Sequence, residues 1–180
     1  MKAKDIALGG ILVALTIIVL YATSILPIST LAILTVASAL IPVCIIRSNV
    51  QTSIFVYIAS SLIAFLLVPI NISFLYFIFF GAYGIVKYFV ERIRKEKLEI
   101  VFKLVFFNIV FIVAFVIMQN ILGINIMDGL EALIGNFFDA SARTVSFIIL
   151  WIVAQPIFLI YDYAMTMIIT FYMERIHKNI

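Results

Sequence analysis

The sequence predicts an all-α fold, a polytopic membrane protein built as one bundle of six transmembrane helices. Composition is the first reason. Of 180 residues, 66% are hydrophobic and 12% charged, with a mean hydropathy of +1.30, whereas a soluble domain is about 45–50% apolar and about 25% charged. Segmentation is the second: the apolar residues fall into six runs, most near the roughly 20 residues a helix needs to cross the hydrocarbon layer. The third is charge placement, since almost every lysine and arginine falls on alternate connections between runs. A soluble enzyme, a nucleic-acid module, a disordered tail and a secreted disulfide scaffold are excluded together. The single cysteine, Cys44, forms no intrachain disulfide and no cysteine-based metal cluster.

The first run, Ile6–Leu26, follows Lys2 and Lys4 and ends at Pro27. It exceeds a usual signal-peptide core, and cleavage would place the next charged loop on the wrong side, so it is expected to remain a span. The second, Ile28–Ile46, stops at the polar turn Arg47-Ser48-Asn49. The third, Ser53–Val68, is short, so it either sits untilted or starts nearer Val50, and Pro69-Ile70-Asn71 closes it. The fourth, Ile72–Val90, runs into the charged stretch Glu91 to Glu99, and the fifth covers Ile100–Leu122. The sixth, Val145–Tyr172, is long and is expected to kink at Pro156, which lacks a backbone donor. No internal repeat divides the chain, and residues 1–180 form a single domain.

Orientation follows from the basic residues. With a cytoplasmic amino terminus, the inner segments hold Lys2, Lys4, Arg47, Lys87, Arg92, Arg94, Lys95, Lys97, Lys103, Arg175 and Lys178, and the outer ones only Arg143. Eleven against one places both termini in the cytoplasm of a plasma-membrane protein. Between the last two spans, segment 123–142 is acidic, with Asp128, Glu131 and Asp139, and its apolar residues recur at helical spacing. It reads as an amphipathic helix at the outer interface, either a lid over an outward cavity or a linker resting on headgroups. The inner stretch Lys87–Lys103 alternates in sign, as a docking loop or a solvated turn near anionic lipid would.

Chemistry is sparse. The only histidine, His177, stands three residues from the end, and Cys44 lies in an apolar run beside Pro42. No metalloprotease, nucleophile-elbow or P-loop motif occurs, and zinc, haem and iron–sulfur ligands are lacking. The chain is expected to be no enzyme and to need no cofactor. Asp162 is the one acid deep in a span, about 15 Å from the inner end. It reads as a proton- or cation-coupling group, as a buried contact that sets span six against its neighbours, or as a neutral or hydrogen-bonded carboxyl meeting Asn108 or a tyrosine. With no intramembrane lysine or arginine to pair with, the structural readings come first.

Neutral polar and aromatic residues gather in the outer half, Asn71 and Tyr76 at the start of span four, Gln119 and Asn120 on span five, Trp151 and Gln155 on span six, with the cation Arg143 just before span six. Such groups either line an outward cavity or anchor helix ends at the interface. Gln155 and Trp151 lie about two to three turns deep, which interfacial anchoring explains less well. Arg143 is placed to bind an anion or to pair with Asp139 four residues earlier. Small residues form a further pattern: Ala3, Ala7, Gly10 and Ala14 share one face of span one, and Ser53, Ser60 and Ala64 form a looser stripe on span three. Such stripes let helix backbones approach closely.

In six-span layout, and in its opening Asp5-Ile6-Ala7-Leu8-Gly9-Gly10-Ile11-Leu12-Val13-Ala14-Leu15, the chain resembles the substrate-binding S components of energy-coupling-factor (ECF) vitamin transporters. The resemblance implies a small-molecule micronutrient as ligand, bound in the outer half with Asn71, Gln119, Asn120, Trp151 and Gln155 as pocket candidates. It implies docking of a T component on Ala7, Gly10 and Ala14, with Ser60 and Ala64 matching only as small-xxx-small. Energy would come from separate ATPase subunits, in keeping with the missing ATP motif. The lipid bilayer is the other partner, and no nucleic acid is expected. The alternatives are a structural membrane scaffold of the MreD-like kind, and a membrane peptidase using Cys44, His177 and Asp162.

Overall fold

The computed structural model describes residues 2–25, 29–120 and 142–175, together with Gly123 and Asp128. Six helices long and apolar enough to cross a membrane succeed one another. They are α1 (Ala3–Ala22), α2 (Thr30–Arg47), α3 (Val50–Leu67), α4 (Ile70–Glu91), α5 (Glu96–Asn120) and α6 (Ala142–Arg175). The all-α six-helix bundle expected from the sequence is therefore the observed architecture.

Local chemistry sets the boundaries. Asn49 caps α3 by accepting from the Thr52 amide at 2.8 Å, so the short third run gains its first turn from Val50. α5 begins at Glu96, earlier than its apolar run, because Glu96 and Glu99 complement the positive end of the helix dipole. α6 is 34 residues and continues through Pro156; at 1.5 Å per residue it is about 50 Å long, more than a hydrocarbon core of about 30 Å requires. Within α4, Tyr76–Phe80 wind as a single π-helical turn with no glycine or proline among its five residues and Gly81 directly after it. Most of segment 123–142, with its lid-or-linker alternative, and His177 lie outside the described residues.

α2 is the hub, packing against α1, α3, α4 and α6, while α1 lies along α3 and α5 along α4. Two glycines permit the closest approaches of α4. A Cβ on Gly84 would sit 2.8 Å from Pro42 Cδ and 3.1 Å from Ile41 Cβ of α2, and one on Gly81 would sit 2.7 Å from the Tyr57 ring of α3. The larger core cluster gathers Leu20, Leu34, Tyr76, Phe80, Tyr83, Phe107, Phe158 and Met165; a smaller one joins Leu12, Ile41, Cys44 and Val56. Cys44 is wholly buried there as a small hydrophobe.

The outer surface is as apolar as the interior. Leu66, Ile160, Ile11 and Ile18 are 83%, 69%, 66% and 66% exposed, a surface that lipid covers and water would not tolerate. Lipid tails are as apolar as leucine, so burial alone cannot hold such helices together; close packing and interhelical hydrogen bonds must. The bonds are present. The Ser38 and Tyr161 hydroxyls lie 2.6 Å apart between α2 and α6, those of Ser60 and Tyr76 3.0 Å apart between α3 and α4, and Ser73 Oγ donates to the Ala64 carbonyl at 2.8 Å. Comparable side-chain bonds in membrane bundles contribute about 0.6 kcal/mol each.

Candidate functional site

Along the seam between α5 and α6, joined at one end by α4, polar side chains and aromatic rings alternate in layers. At the end farthest from the termini, Gln119 of α5 and Arg143 of α6 line one recess of about 220 Å³ with Phe115, Thr144 and Phe147. Beneath it the aromatic rings touch: Phe115 and Phe147 lie 4.9 Å apart between centroids, and Phe111 and Phe147 6.3 Å. Next comes a neutral polar trio. Trp151 Nε1 donates to Asn108 Oδ1 at 2.6 Å, Gln155 Nε2 donates to the same oxygen at 3.0 Å, and Asn108 Nδ2 donates to the Leu104 carbonyl at 2.7 Å.

Below the trio, Phe107 stacks on Phe158 at 4.5 Å. These two rings also wall a cavity of about 290 Å³ that opens between α2, α5 and α6 and is closed toward the core by Phe80 and Tyr161. Its lining is almost wholly apolar, and the hydroxyls of Thr35 and Tyr161 are bonded to the Leu31 carbonyl and Ser38, so it suits an apolar or aromatic group.

The final layer is ionic. Lys87 of α4 and Lys103 of α5 each pair with both Glu91 and Asp162. Lys87 Nζ lies 2.8 Å from Glu91 Oε1 and against Asp162 Oδ1, and Lys103 Nζ lies 3.0 Å from both Glu91 Oε1 and Asp162 Oδ2. Tyr83 donates to Asp162 Oδ1 at 2.7 Å, and Lys87 also donates to Thr166 Oγ1 at 2.8 Å. The Lys87 side chain is 1% exposed and that of Lys103 8%. Two cations and two anions make the cluster neutral, which is what allows full charges to sit in a low-dielectric interior. It ties α4, α5 and α6 together one to two turns inside the charged end of the bundle.

This overturns the expectation that Asp162 has no cation to meet. Lys87 and Lys103 are helical residues turned inward, and the stretch Lys87–Lys103 is a loop only between Glu91 and Glu96. Asp162 does meet a tyrosine, but it is Tyr83 of α4; its neighbour Tyr161 bonds Ser38, and Tyr163 is 66% exposed. Asn108 belongs to the Trp151–Gln155 trio and not to Asp162.

The other candidates divide. Trp151 joins Gln155, and Gln119 joins Arg143, on one seam. Asn71 is exposed at the start of α4, Asn120 bonds its own helix through the Val116 carbonyl at 3.0 Å, and Tyr76 is fully buried with its hydroxyl on Ser60. On α1, Ala7, Gly10 and Ala14 are exposed, and a Cβ on Gly10 would meet nothing within 4 Å. Ser60 and Ala64, matched as a small-xxx-small pair on α3, are 0% exposed and face the core of the bundle. Period alone did not reveal which face of α3 the bundle claims. Three residues of the site were not singled out from the sequence, Tyr83, Lys87 and Lys103, and Asn108 was matched to Asp162 instead of to Trp151 and Gln155. A signal was available for two, since Tyr83, Lys87 and Glu91 follow one another at four-residue spacing and so share a helix face.

Among the described residues, no group of three or more His, Cys, Asp or Glu is placed to hold a metal ion. No protein-family model matches the chain, and no curated protein or solved structure matches it.

Proposed function

We propose that this membrane-spanning bundle is the substrate-binding S component of an ECF-type transporter, taking up a vitamin or other micronutrient. The observation that carries the reading is the α5–α6 seam, where polar anchors at Gln119–Arg143 and Asn108–Trp151–Gln155 alternate with aromatic walls. Small-molecule sites have this makeup: an apolar, aromatic lining with a few placed polar groups. In this reading both termini are cytoplasmic and the recess at Arg143 faces outward, so the ligand enters from that side and descends toward Trp151. The ionic quartet closes the cytoplasmic end beneath it.

The chain performs no chemistry of its own. Separate ATPase subunits supply energy through a T component, which docks on the exposed small face Ala7, Gly10 and Ala14; the absence of a side chain at Gly10 supports a close helix–helix approach there. Co-expression with the T and ATPase subunits of an ECF transporter tests this. The complex is expected to co-purify and to drive uptake of one labelled vitamin from a panel. A chain that captures neither subunit and supports no uptake, and whose deletion instead alters cell shape, would establish the scaffold alternative.

A further inference from the structure

A second groove lies away from the seam, on the lateral surface where α1, α2 and α6 meet. It encloses about 400 Å³, and its walls are apolar, among them Ile11, Leu15, Val36, Val43, Ile168 and Phe171. The one charged lining residue is Arg47, the last residue of α2, at the end of the bundle that carries the basic residues. Tyr172 of α6 holds it: Arg47 Nε donates to the Tyr172 hydroxyl, and the guanidinium carbon stands 5.7 Å from the ring centroid. With Nε engaged on the Tyr172 hydroxyl, the two Nη groups meet no acceptor among the described residues.

We propose that this groove is a binding site for an anionic phospholipid, with its phosphate on Arg47 and an acyl chain along the α1–α2–α6 wall. Three features select this occupant. A guanidinium fork recognises a phosphate through two parallel hydrogen bonds, and one already oriented loses less freedom in doing so. The apolar wall from Val36 to Arg47 covers twelve residues of α2, eleven helical steps, about 16 Å at 1.5 Å per residue. That is close to half of a hydrocarbon core of about 30 Å, the depth of one leaflet. Lastly, the charge stands at the headgroup end of this wall and the rest of the lining is apolar, the polarity of a phospholipid. The proposal rests on the bundle spanning a membrane, and not on what it transports.

The test is native mass spectrometry of the purified full chain after reconstitution in equal parts phosphatidylglycerol and phosphatidylcholine. Wild type is expected to retain one phosphatidylglycerol in preference to phosphatidylcholine. Arg47→Gln should lower that preference at least five-fold, with Arg47→Lys intermediate because it keeps the charge and loses the fork. Val36→Phe, which fills the groove without touching Arg47, should also lower retention, and it covers the case in which Arg47→Gln does not fold. Equal retention of both lipids by wild type, or wild-type retention by both Arg47→Gln and Val36→Phe, overturns the site. Displacement of the lipid by millimolar inorganic phosphate would likewise overturn it, by showing an anion site with no use for the groove. Micronutrient binding is measured separately, so failure here leaves the transport reading standing, and the reverse holds.

Discussion

Replacing Asp162 with asparagine removes one of the two carboxylates that neutralise Lys87 and Lys103, and nearly preserves the side chain's shape. The Lys87 side chain is 1% exposed and cannot reach water without parting helices. Breaking a buried pair by removing one partner costs about 3–5 kcal/mol. Glu91, which is 39% exposed, still faces both lysines, so the lower end, about 3 kcal/mol, is expected. Lys87→Met leaves the opposite imbalance and should cost a similar amount. The double variant restores neutrality, because the Lys103–Glu91 pair at 3.0 Å survives alone. Opposite charges 4 Å apart attract by about 4 kcal/mol at an effective dielectric of about 20, so a coupling of at least about 2 kcal/mol is expected from the cycle. Denaturant unfolding in detergent micelles, followed by circular dichroism, measures all four proteins. Single variants within about 0.5 kcal/mol of wild type, or a double variant whose loss equals the sum of the singles, would refute the quartet as a neutral buried unit.

Gly84→Ala should destabilise by about 1–3 kcal/mol, because its Cβ would overlap Pro42 and Ile41 on α2, while Gly10→Ala, facing open space, should leave the same unfolding midpoint unchanged or raised. Asn108→Ala strands the Trp151 and Gln155 donors and should cost about 1–3 kcal/mol; in a ligand titration it should also weaken micronutrient binding. Gly10→Trp should leave the isolated bundle's stability intact and abolish co-purification with the T component. Asn49→Ala removes the cap of α3 and should cost about 1 kcal/mol in the unfolding assay.

The fold was legible because lipid imposes a coarse code. Apolar runs, prolines and basic turns mark the six helices to within a few residues, and the cap at Asn49 accounts for the residues the third run lacked. The candidate site was legible only in part. Trp151 and Gln155 could be singled out by depth, since polar groups that far from a helix end need a reason. Their partner Asn108 sits on another helix, and pairing between helices has no local signature. Lys87 and Lys103 were hidden for a different reason: each borders a charged turn, where a lysine ordinarily reaches solvent. Here their four-carbon stems turn inward, drawn by an aspartate 75 residues from Lys87 and 59 from Lys103 in sequence. The π-helical turn at Tyr76–Phe80 was invisible because none of its five residues is a glycine or proline, and its sequence reads as ordinary apolar helix.

The chain holds one tryptophan, and it stands within the seam, its indole nitrogen bonded to Asn108. Intrinsic fluorescence therefore reports on the proposed site without a label. Titrating the purified protein with a panel of vitamins and related micronutrients tests the account directly. One compound is expected to change Trp151 emission saturably at one equivalent per chain, and Gln155→Ala to weaken its binding at least ten-fold. A panel that leaves the emission unchanged throughout, or a saturable change that Gln155→Ala and Asn108→Ala both leave unaltered, would contradict it.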